Sequence, residues 1–182
     1  VEIDMKKVLL LSGSHRRNGN SDLLCDQFML GAKESGNRAE KIILRDKKIN
    51  YCLACDACKR NGGNCVQKDD MNEILDKMMA ADVFVLATPV YFYSMSAQMK
   101  TLIDRTYAKY TEIRDKEMYF IITAADDREQ YVKMAIEGFR GFTSCLDGSK
   151  EKGIIYGLGV CNAGDIKGSQ AMVQAYEMGK NI

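Results

Sequence analysis

The sequence is poor in histidine and proline, with one of each, His15 and Pro89. A mechanism that requires a pair of histidines is therefore excluded. Long apolar runs are also missing: runs such as residues 83–87 have about five residues, whereas a membrane span needs about twenty. The apolar run Val8–Leu11 is too short for a secretory signal. We therefore predict no membrane-spanning segment and expect a cytoplasmic protein.

Neither sign of charge is in excess. The 182 residues include 26 Lys and Arg and 25 Asp and Glu, for a formal net charge of +1. This balance gives no reason to expect nucleic acid or a membrane surface as a partner. Length and an ordinary globular composition predict one domain over residues 1–182. Met5 followed by two lysines is typical of a translation start, so Val1–Asp4 is interpreted as an addition upstream of it.

Short apolar runs typical of buried strands alternate with helix-length segments. Strands are predicted at residues 6–12, 39–44, 82–88, 116–123 and 153–159. Helices are predicted at residues 20–35, 70–81 (with Asp70 and Glu73 as a capping box), from Ser94 or Ser96 to about Tyr110, 128–142 and 168–179. This alternation predicts an α/β fold, a parallel sheet covered by helices on both faces. Ligands bind such sheets at the carboxyl ends of the strands, so function is expected just after the first, third and fourth strands.

The loop after the first strand combines small, polar and basic residues. Hydrogen-bond donors and positive charge come from Ser12, Ser14, Arg16, Arg17, Asn18, Asn20 and Ser21. The loop leads into a helix N-terminus, where the helix dipole adds about half a positive charge. It lacks both the Gly-Lys-Ser/Thr of a P-loop and the three-glycine spacing of a dinucleotide fingerprint. Two interpretations remain, phosphate binding and a polar turn that caps the helix.

The loop after the third strand carries three consecutive aromatic residues, Tyr91, Phe92 and Tyr93. Aromatic side chains beside a sheet edge suit a planar ligand, although they could equally pack between helices. The helix that follows has an apolar stripe at helical spacing, which we interpret as core or subunit interface. The stripe consists of Met95, Met99, Leu102, Ile103 and Thr106.

The sequence has seven cysteines, and four of them lie close together in a Gly- and Asn-rich segment, residues 47–68, that we interpret as a projecting loop. They are spaced as Cys52-x2-Cys55-x2-Cys58-x6-Cys65. Two successive x2 gaps are also found in the ferredoxin runs that hold iron–sulfur clusters, but the third gap differs from a ferredoxin run. Zinc or free thiols are alternatives. The isolated Cys25, Cys145 and Cys161 are expected to be buried.

Together the two loops resemble those of the flavodoxin-like NAD(P)H-dependent FMN reductases. The resemblance rests on residues 13–21 (Gly-Ser-His-Arg-Arg-Asn-Gly-Asn-Ser) and 88–105 (beginning Thr-Pro-Val-Tyr-Phe-Tyr-Ser) and runs from Met5 to about Gly179. The cysteine cluster followed by Asp69-Asp70-Met71 resembles the iron–sulfur flavoprotein branch. The resemblance implies a doubly wound five-stranded parallel sheet in the order 2-1-3-4-5.

By the same resemblance, the first loop would bind the FMN phosphate through Ser12, Ser14, Arg16, Asn18, Asn20 and Ser21. The flavin ring would be bordered by Pro89, Val90, Tyr91, Phe92, Tyr93 and Ser94, with a third wall from Thr123 and Ala124. The four clustered cysteines would hold a [4Fe–4S] cluster. No catalytic side chain is assigned, because the flavin performs the chemistry.

Three functions follow. The first is an oxidoreductase in which NAD(P)H reduces FMN and electrons pass to a flavin, a quinone-like molecule or an electron carrier. The second is a non-enzymatic electron-transfer iron–sulfur flavoprotein with a ferredoxin-like partner. The third is a flavin-free, zinc-stabilised interaction protein. The resemblance also implies a homodimer or homotetramer.

Overall fold

The computed structural model describes residues 5–182, so Val1–Asp4, interpreted above as an upstream addition, lies outside the described residues. The strands are β1 (Lys7–Ser12), β2 (Arg38–Ile43), β3 (Val83–Pro89), β4 (Glu117–Thr123) and β5 (Lys150–Gly157). The helices are α1 (Asn20–Glu34), α2 (Ala57–Arg60), α3 (Met71–Ala80), α4 (Ala97–Arg105), α5 (Lys133–Thr143) and α6 (Gln170–Lys180). Short 3₁₀ turns lie at Leu44–Asp46, Thr106–Ala108, Tyr110–Glu112 and Glu129–Tyr131.

The five strands form one parallel sheet in the order β2-β1-β3-β4-β5. This is the flavodoxin-like order, so both the predicted fold class and the order implied by the resemblance are confirmed. The order reverses between β1 and β3, whose registers align Leu10 with Val85. The loops that follow these two strands therefore diverge and leave a crevice at the carboxyl edge.

Strand alternation divides the core between the two faces of the sheet. Leu9 and Leu11 of β1 pack on one face with α3, α4 and α5, whereas Val8 and Leu10 pack on the other with α1 and α6. The two helices α1 and α6 approach closely because glycines lie at their contact. A Cβ at Gly31 would collide with the Tyr176 carbonyl oxygen.

The structure corrects several local predictions. Strand β5 begins at Lys150 rather than at residue 153. Its first three residues were missed because they are exposed and carry no apolar pattern. The helix expected to reach Tyr110 leaves α-geometry after Arg105, where the Thr106 hydroxyl donates to the Ile103 carbonyl (2.7 Å). The isolated cysteines were expected to be buried, but only Cys25 is; Cys145 and Cys161 are exposed.

Of the two predicted helix N-caps, the structure confirms one and contradicts the other. The Ser96 hydroxyl caps α4 by accepting a hydrogen bond from the Met99 amide (3.4 Å), as one of the two predicted options. The capping box predicted for α3 is wrong. The Asp70 carboxylate instead accepts from the Lys48 amide (2.7 Å), and Asp69 accepts from the Met71 amide (3.2 Å). The segment before α3 is thus tied to the residues after β2.

The predicted apolar stripe of α4 faces inward, with Met95, Met99, Leu102 and Thr106 buried. The core interpretation of the stripe is therefore confirmed at these positions. No helix within residues 5–182 is long and apolar enough to span a membrane.

Candidate functional site

A crevice of about 190 Å³ opens at the carboxyl edge of the sheet, where the loops after β1, β3, β4 and β5 meet. It is lined by Ser14, Arg16, Gly19, Asn20, Ser21, Pro89, Val90, Tyr91, Thr123, Ala124, Ala125, Val160 and Cys161. The structure thus brings together residues of the predicted phosphate loop, of the predicted flavin border after β3 and of the predicted third wall after β4. Five predicted site residues do not line the crevice: Ser12, which ends β1, and Asn18, Phe92, Tyr93 and Ser94, which lie in the adjoining loops.

The first loop is held in a tight curl by hydrogen bonds within it. The Ser14 hydroxyl donates to the Arg16 carbonyl (3.1 Å) and lies 3.3 Å from the Arg16 amide, which donates to it. The Gly19 amide donates to the same Arg16 carbonyl (3.2 Å). A Cβ at Gly19 would collide with the Ser14 hydroxyl and lie 3.1 Å from the Arg16 carbonyl oxygen. A side chain at position 19 would therefore displace the Ser14 hydroxyl from this curl.

Helix α1 begins at Asn20 and points its N-terminus at the crevice. Gly19, at the N-cap, has no side chain, so the amides of the first turn are not capped by it. The hydroxyls of Ser12 and Ser21 are buried and have no hydrogen-bond partner among residues 5–182. Buried hydroxyls without partners are costly, and an anion that accepts from them and from the helix amides would satisfy them. This donor set fits a phosphate group.

One acidic residue lies in the first turn of α1 and would oppose an anion there. Asp22 is buried, and its carboxylate is paired with the Lys41 ammonium (2.8 Å), which also contacts Asp26 (2.6 Å). Burial works against the charged lysine, but the two carboxylates outweigh it and raise the pKa of Lys41. The negative charge of Asp22 is thus locally neutralised beside the crevice.

Asn20 is already engaged by the chain itself. Its amide donates to the Asn162 carbonyl (2.9 Å), and its carbonyl oxygen accepts from the amides of Gly164 (3.1 Å) and Ile166 (3.2 Å). The side chain therefore fixes the loop after β5 against the first loop. That loop contributes Val160 and Cys161 to the crevice, which the sequence reasoning missed. The polar turn Asn162-Ala163-Gly164-Asp165 directly after the last strand was the available signal.

The aromatic loop forms a two-residue hairpin on the other side of the crevice. Tyr91 and Ser94 exchange backbone hydrogen bonds (3.0 Å each), and Phe92 and Tyr93 between them have φ angles of +47° and +64°. A left-handed backbone at two consecutive aromatic residues is strained, and such strain is concentrated at functional sites. The turn leaves Phe92 fully exposed.

The other two aromatic residues of this loop have defined neighbours. Tyr91 lines the crevice and lies against the His15 ring, with ring centroids 5.6 Å apart. Tyr93 turns away and packs against Tyr131 (5.7 Å). The Val90 amide donates to the Thr123 carbonyl (2.8 Å), so the loop after β3 is hydrogen-bonded to the end of β4. Of the three consecutive aromatic residues, only Tyr91 thus lines the crevice.

The cysteine-rich segment is anchored at both ends by one buried arginine. The Arg105 guanidinium of α4 donates to the Asn50 carbonyl (2.7 Å) and to both carboxylate oxygens of Asp69 (2.6 and 3.0 Å). The side chains of Arg105 and Asp69 are 2% and 0% exposed. Residues 50 and 69 are therefore held together, and the segment between them projects as a closed loop.

The four clustered thiols are not gathered into a centre. Cys52 and Cys55 are exposed, and Cys58 and Cys65 are half-buried. Across residues 5–182, no three His, Cys, Asp or Glu side chains are arranged to hold a metal ion. Cys65 lies beside the Arg105 guanidinium. In this conformation the thiols do not fit a metal or a cluster.

Comparison with known proteins adds to this geometry. The sequence profile of a family described as NADPH-dependent FMN reductase matches residues 6–135. An iron–sulfur flavoprotein of Methanocaldococcus jannaschii is 32% identical over 139 residues, covering 75% of this chain and 70% of that protein. One from Archaeoglobus fulgidus is 44% identical over 101 residues, 56% of this chain and 45% of that protein. The chain spans about half the length of several such relatives.

A solved structure supports the fold. An azoreductase from Bacillus anthracis superposes with a TM-score of 0.76 at 17% identity, covering 98% of this chain and 100% of that one. At this identity the similarity concerns the fold.

Proposed function

Because the chain belongs to the NADPH-dependent FMN reductase family, on its iron–sulfur flavoprotein branch, we propose that it is an oxidoreductase that binds FMN in the crevice and reduces it with NAD(P)H. One observation carries the proposal. Two buried hydroxyls lack partners beside the crevice where the strand order reverses: that of Ser21, in the first turn of α1, and that of Ser12, the last residue of β1. A phosphate group there would satisfy both.

The proposed roles follow from position. Ser12, Ser14, Arg16, Asn18 and Ser21, with the first amides of α1, hold the phosphate, and Asn20 positions the loop after β5. On the other side of the crevice, Pro89, Val90, Tyr91, Thr123 and Ala124 border the flavin. Phe92, Tyr93 and Ser94, in the same loop but outside the crevice lining, would approach the flavin only from its rim. FMN, when bound, supplies the hydride and electron chemistry. The chain's own part is to bind and orient it and to keep one face open for a nicotinamide.

We further propose that Cys52, Cys55, Cys58 and Cys65 bind a [4Fe–4S] cluster after the loop rearranges. Their spacing and the names of the relatives support this, whereas the separation of the thiols does not. Zinc and free thiols are the competing states. The remaining proposals are one domain over residues 1–182, a cytoplasmic location, a homodimer or homotetramer, and a quinone-like or flavin acceptor.

A second candidate function is electron transfer with a ferredoxin-like partner and no reaction with nicotinamides. The exposure of Cys52 and Cys55 favours it, because a partner protein could approach a centre in this loop directly.

Anaerobic stopped-flow absorbance of the FMN-loaded protein tests the main proposal. We expect NADPH or NADH to bleach the bound flavin at a rate that saturates with donor concentration. Protein without flavin is the control. If both nicotinamides fail and reduced ferredoxin succeeds, the electron carrier replaces the reductase.

Metal analysis of protein purified without oxygen tests the cluster. We expect about four iron and four acid-labile sulfide per chain, with little zinc. Cys52→Ser should remove most of the iron, whereas Cys145→Ser, in an exposed cysteine outside the loop, should leave it unchanged. Stoichiometric zinc, or no metal at all, would refute the cluster.

A further inference from the structure

A second cavity, of about 400 Å³, lies beyond the carboxyl end of β2. It is lined by Leu44, Arg45, Lys47, Ile49, Asn50, Tyr51, Ala97, Gln98 and Thr101. Its walls are the segment that follows β2 and the first turns of α4. The functions proposed above use none of its polar side chains.

Two polar atoms of this cavity's lining residues are buried and have no hydrogen-bond partner among residues 5–182. One is a donor, Nη1 of Arg45, and the other is an acceptor, Oε1 of Gln98. The other edge of the Arg45 guanidinium is fixed by Asp46, whose carboxylate accepts from Nε (2.9 Å) and Nη2 (3.0 Å). Asp46 thus fixes the orientation of the guanidinium, while Nη1 has no hydrogen-bond acceptor. A donor that is already oriented in this way is preorganised for binding an anion.

The neighbouring side chains limit which class of ligand this cavity can bind. The Lys47 ammonium adds a second positive charge, held only loosely by Glu73 at 3.6 Å. The Tyr51 ring lines the cavity and is 77% exposed, so one face is available for stacking. A ligand for this cavity needs an anionic acceptor for Arg45, a donor for Gln98 and a planar ring for Tyr51. A phosphorylated adenosine has all three.

The cavity is also placed beside the proposed flavin site. Ala97 and Gln98 begin α4 directly after the aromatic loop. Ser96, just before them, packs against Gly13 of the first loop: a Cβ added at Gly13 would lie 2.7 Å from the Ser96 hydroxyl oxygen. The two openings thus share the carboxyl edge of the sheet on either side of the N-terminus of α4.

We propose that this cavity binds the phosphoadenosine end of NADPH, with Arg45 on the phosphate and Gln98 on the adenosine. The inference rests on the proposed reductase function, since it assigns part of the donor to a site. It assigns a preference for NADPH over NADH to the cation pair Arg45 and Lys47.

Calorimetric titration of adenosine 2′,5′-bisphosphate into the purified protein tests the site. We expect binding that Arg45→Gln weakens by about tenfold or more and Gln98→Leu by a few fold, since a hydrogen bond to a charged group is the stronger. Arg114→Gln, in an exposed arginine on another surface, is the matched control and should bind as the wild type does. FMN titration of each variant should give the wild-type affinity, which also shows that it is folded.

Three results would overturn the inference: no binding by the wild type, equal binding by Arg45→Gln and Arg114→Gln, or inorganic phosphate binding as tightly as the nucleotide. The probe carries no hydride, so this test does not depend on the reductase reaction. Nucleotide binding at Arg45 without flavin bleaching by either NADPH or NADH would refute the reductase alone. Bleaching without nucleotide binding at Arg45 would refute only this site.

Discussion

Replacing Gly19 with alanine is expected to weaken FMN binding about 10- to 100-fold, because the added methyl group displaces the Ser14 hydroxyl and crowds the first loop. The new Cβ would collide with the Ser14 hydroxyl and crowd the Arg16 carbonyl. Rotating Ser14 away breaks both of its hydrogen bonds to Arg16 and moves a donor out of the proposed phosphate site. Losing one hydrogen bond to a charged group costs about 1.5–3 kcal/mol, which corresponds to this range.

Fluorescence titration of FMN into the apoprotein gives the affinity. Gly141→Ala is the matched control, because Gly141 lies in α5 with nothing within 4 Å of an added Cβ. That control should bind FMN normally and gain stability, since alanine is the better helix former by about 1 kcal/mol. Unchanged FMN affinity in Gly19→Ala would show that the phosphate is bound elsewhere.

Replacing Asp69 with asparagine is expected to lower the free energy of unfolding by about 3–5 kcal/mol, because it leaves the Arg105 charge buried without its partner. The Asp69 carboxylate accepts four hydrogen bonds, two from Arg105 and one each from the amides of Asn50 (2.9 Å) and Met71 (3.2 Å). The same change should loosen the closed end of the cysteine-rich loop and lower the iron content of the anaerobic protein.

The stability loss should depend on pH. Burial alone would raise the pKa of Asp69, but the hydrogen bonds from Arg105 and the two amides outweigh it and lower the pKa. A carboxyl with a lowered pKa stabilises the fold above its unfolded value, about 4, and that contribution disappears as the pH falls through the folded value. The difference between wild type and Asp69→Asn should therefore be largest near neutral pH and shrink below about pH 4.

Urea unfolding at several pH values measures this effect. Asp147→Asn is the matched control, because its partner Arg114 is 3.4 Å away and both side chains are exposed; it should change stability by no more than about 0.5 kcal/mol. A loss below about 1 kcal/mol in Asp69→Asn at neutral pH would mean that the buried pair contributes little to the fold.

Many features of the fold and of the candidate site could be predicted from the sequence, because they depend on local patterns. A strand buried on both faces has a continuous apolar run, as residues 83–87 of β3 have, and alternation with helices leaves few topologies. The resemblance of residues 13–21 and 88–105 then supplied the strand order. Position along the chain was also enough to place the Ser14 loop and Tyr91 at one edge of the sheet.

Other features were decided by contacts between residues far apart in the chain. The hydrogen bond from Asn20 to the Asn162 carbonyl spans 142 positions, and it brings Val160 and Cys161 to the crevice. The Arg105–Asp69 pair and the unpartnered atoms of Arg45 and Gln98 depend equally on how α4 packs against the segment after β2. Burial and hydrogen bonding are properties of the folded neighbourhood, so the sequence alone determined the fold and the two loops, while the tertiary structure decided which polar groups have partners.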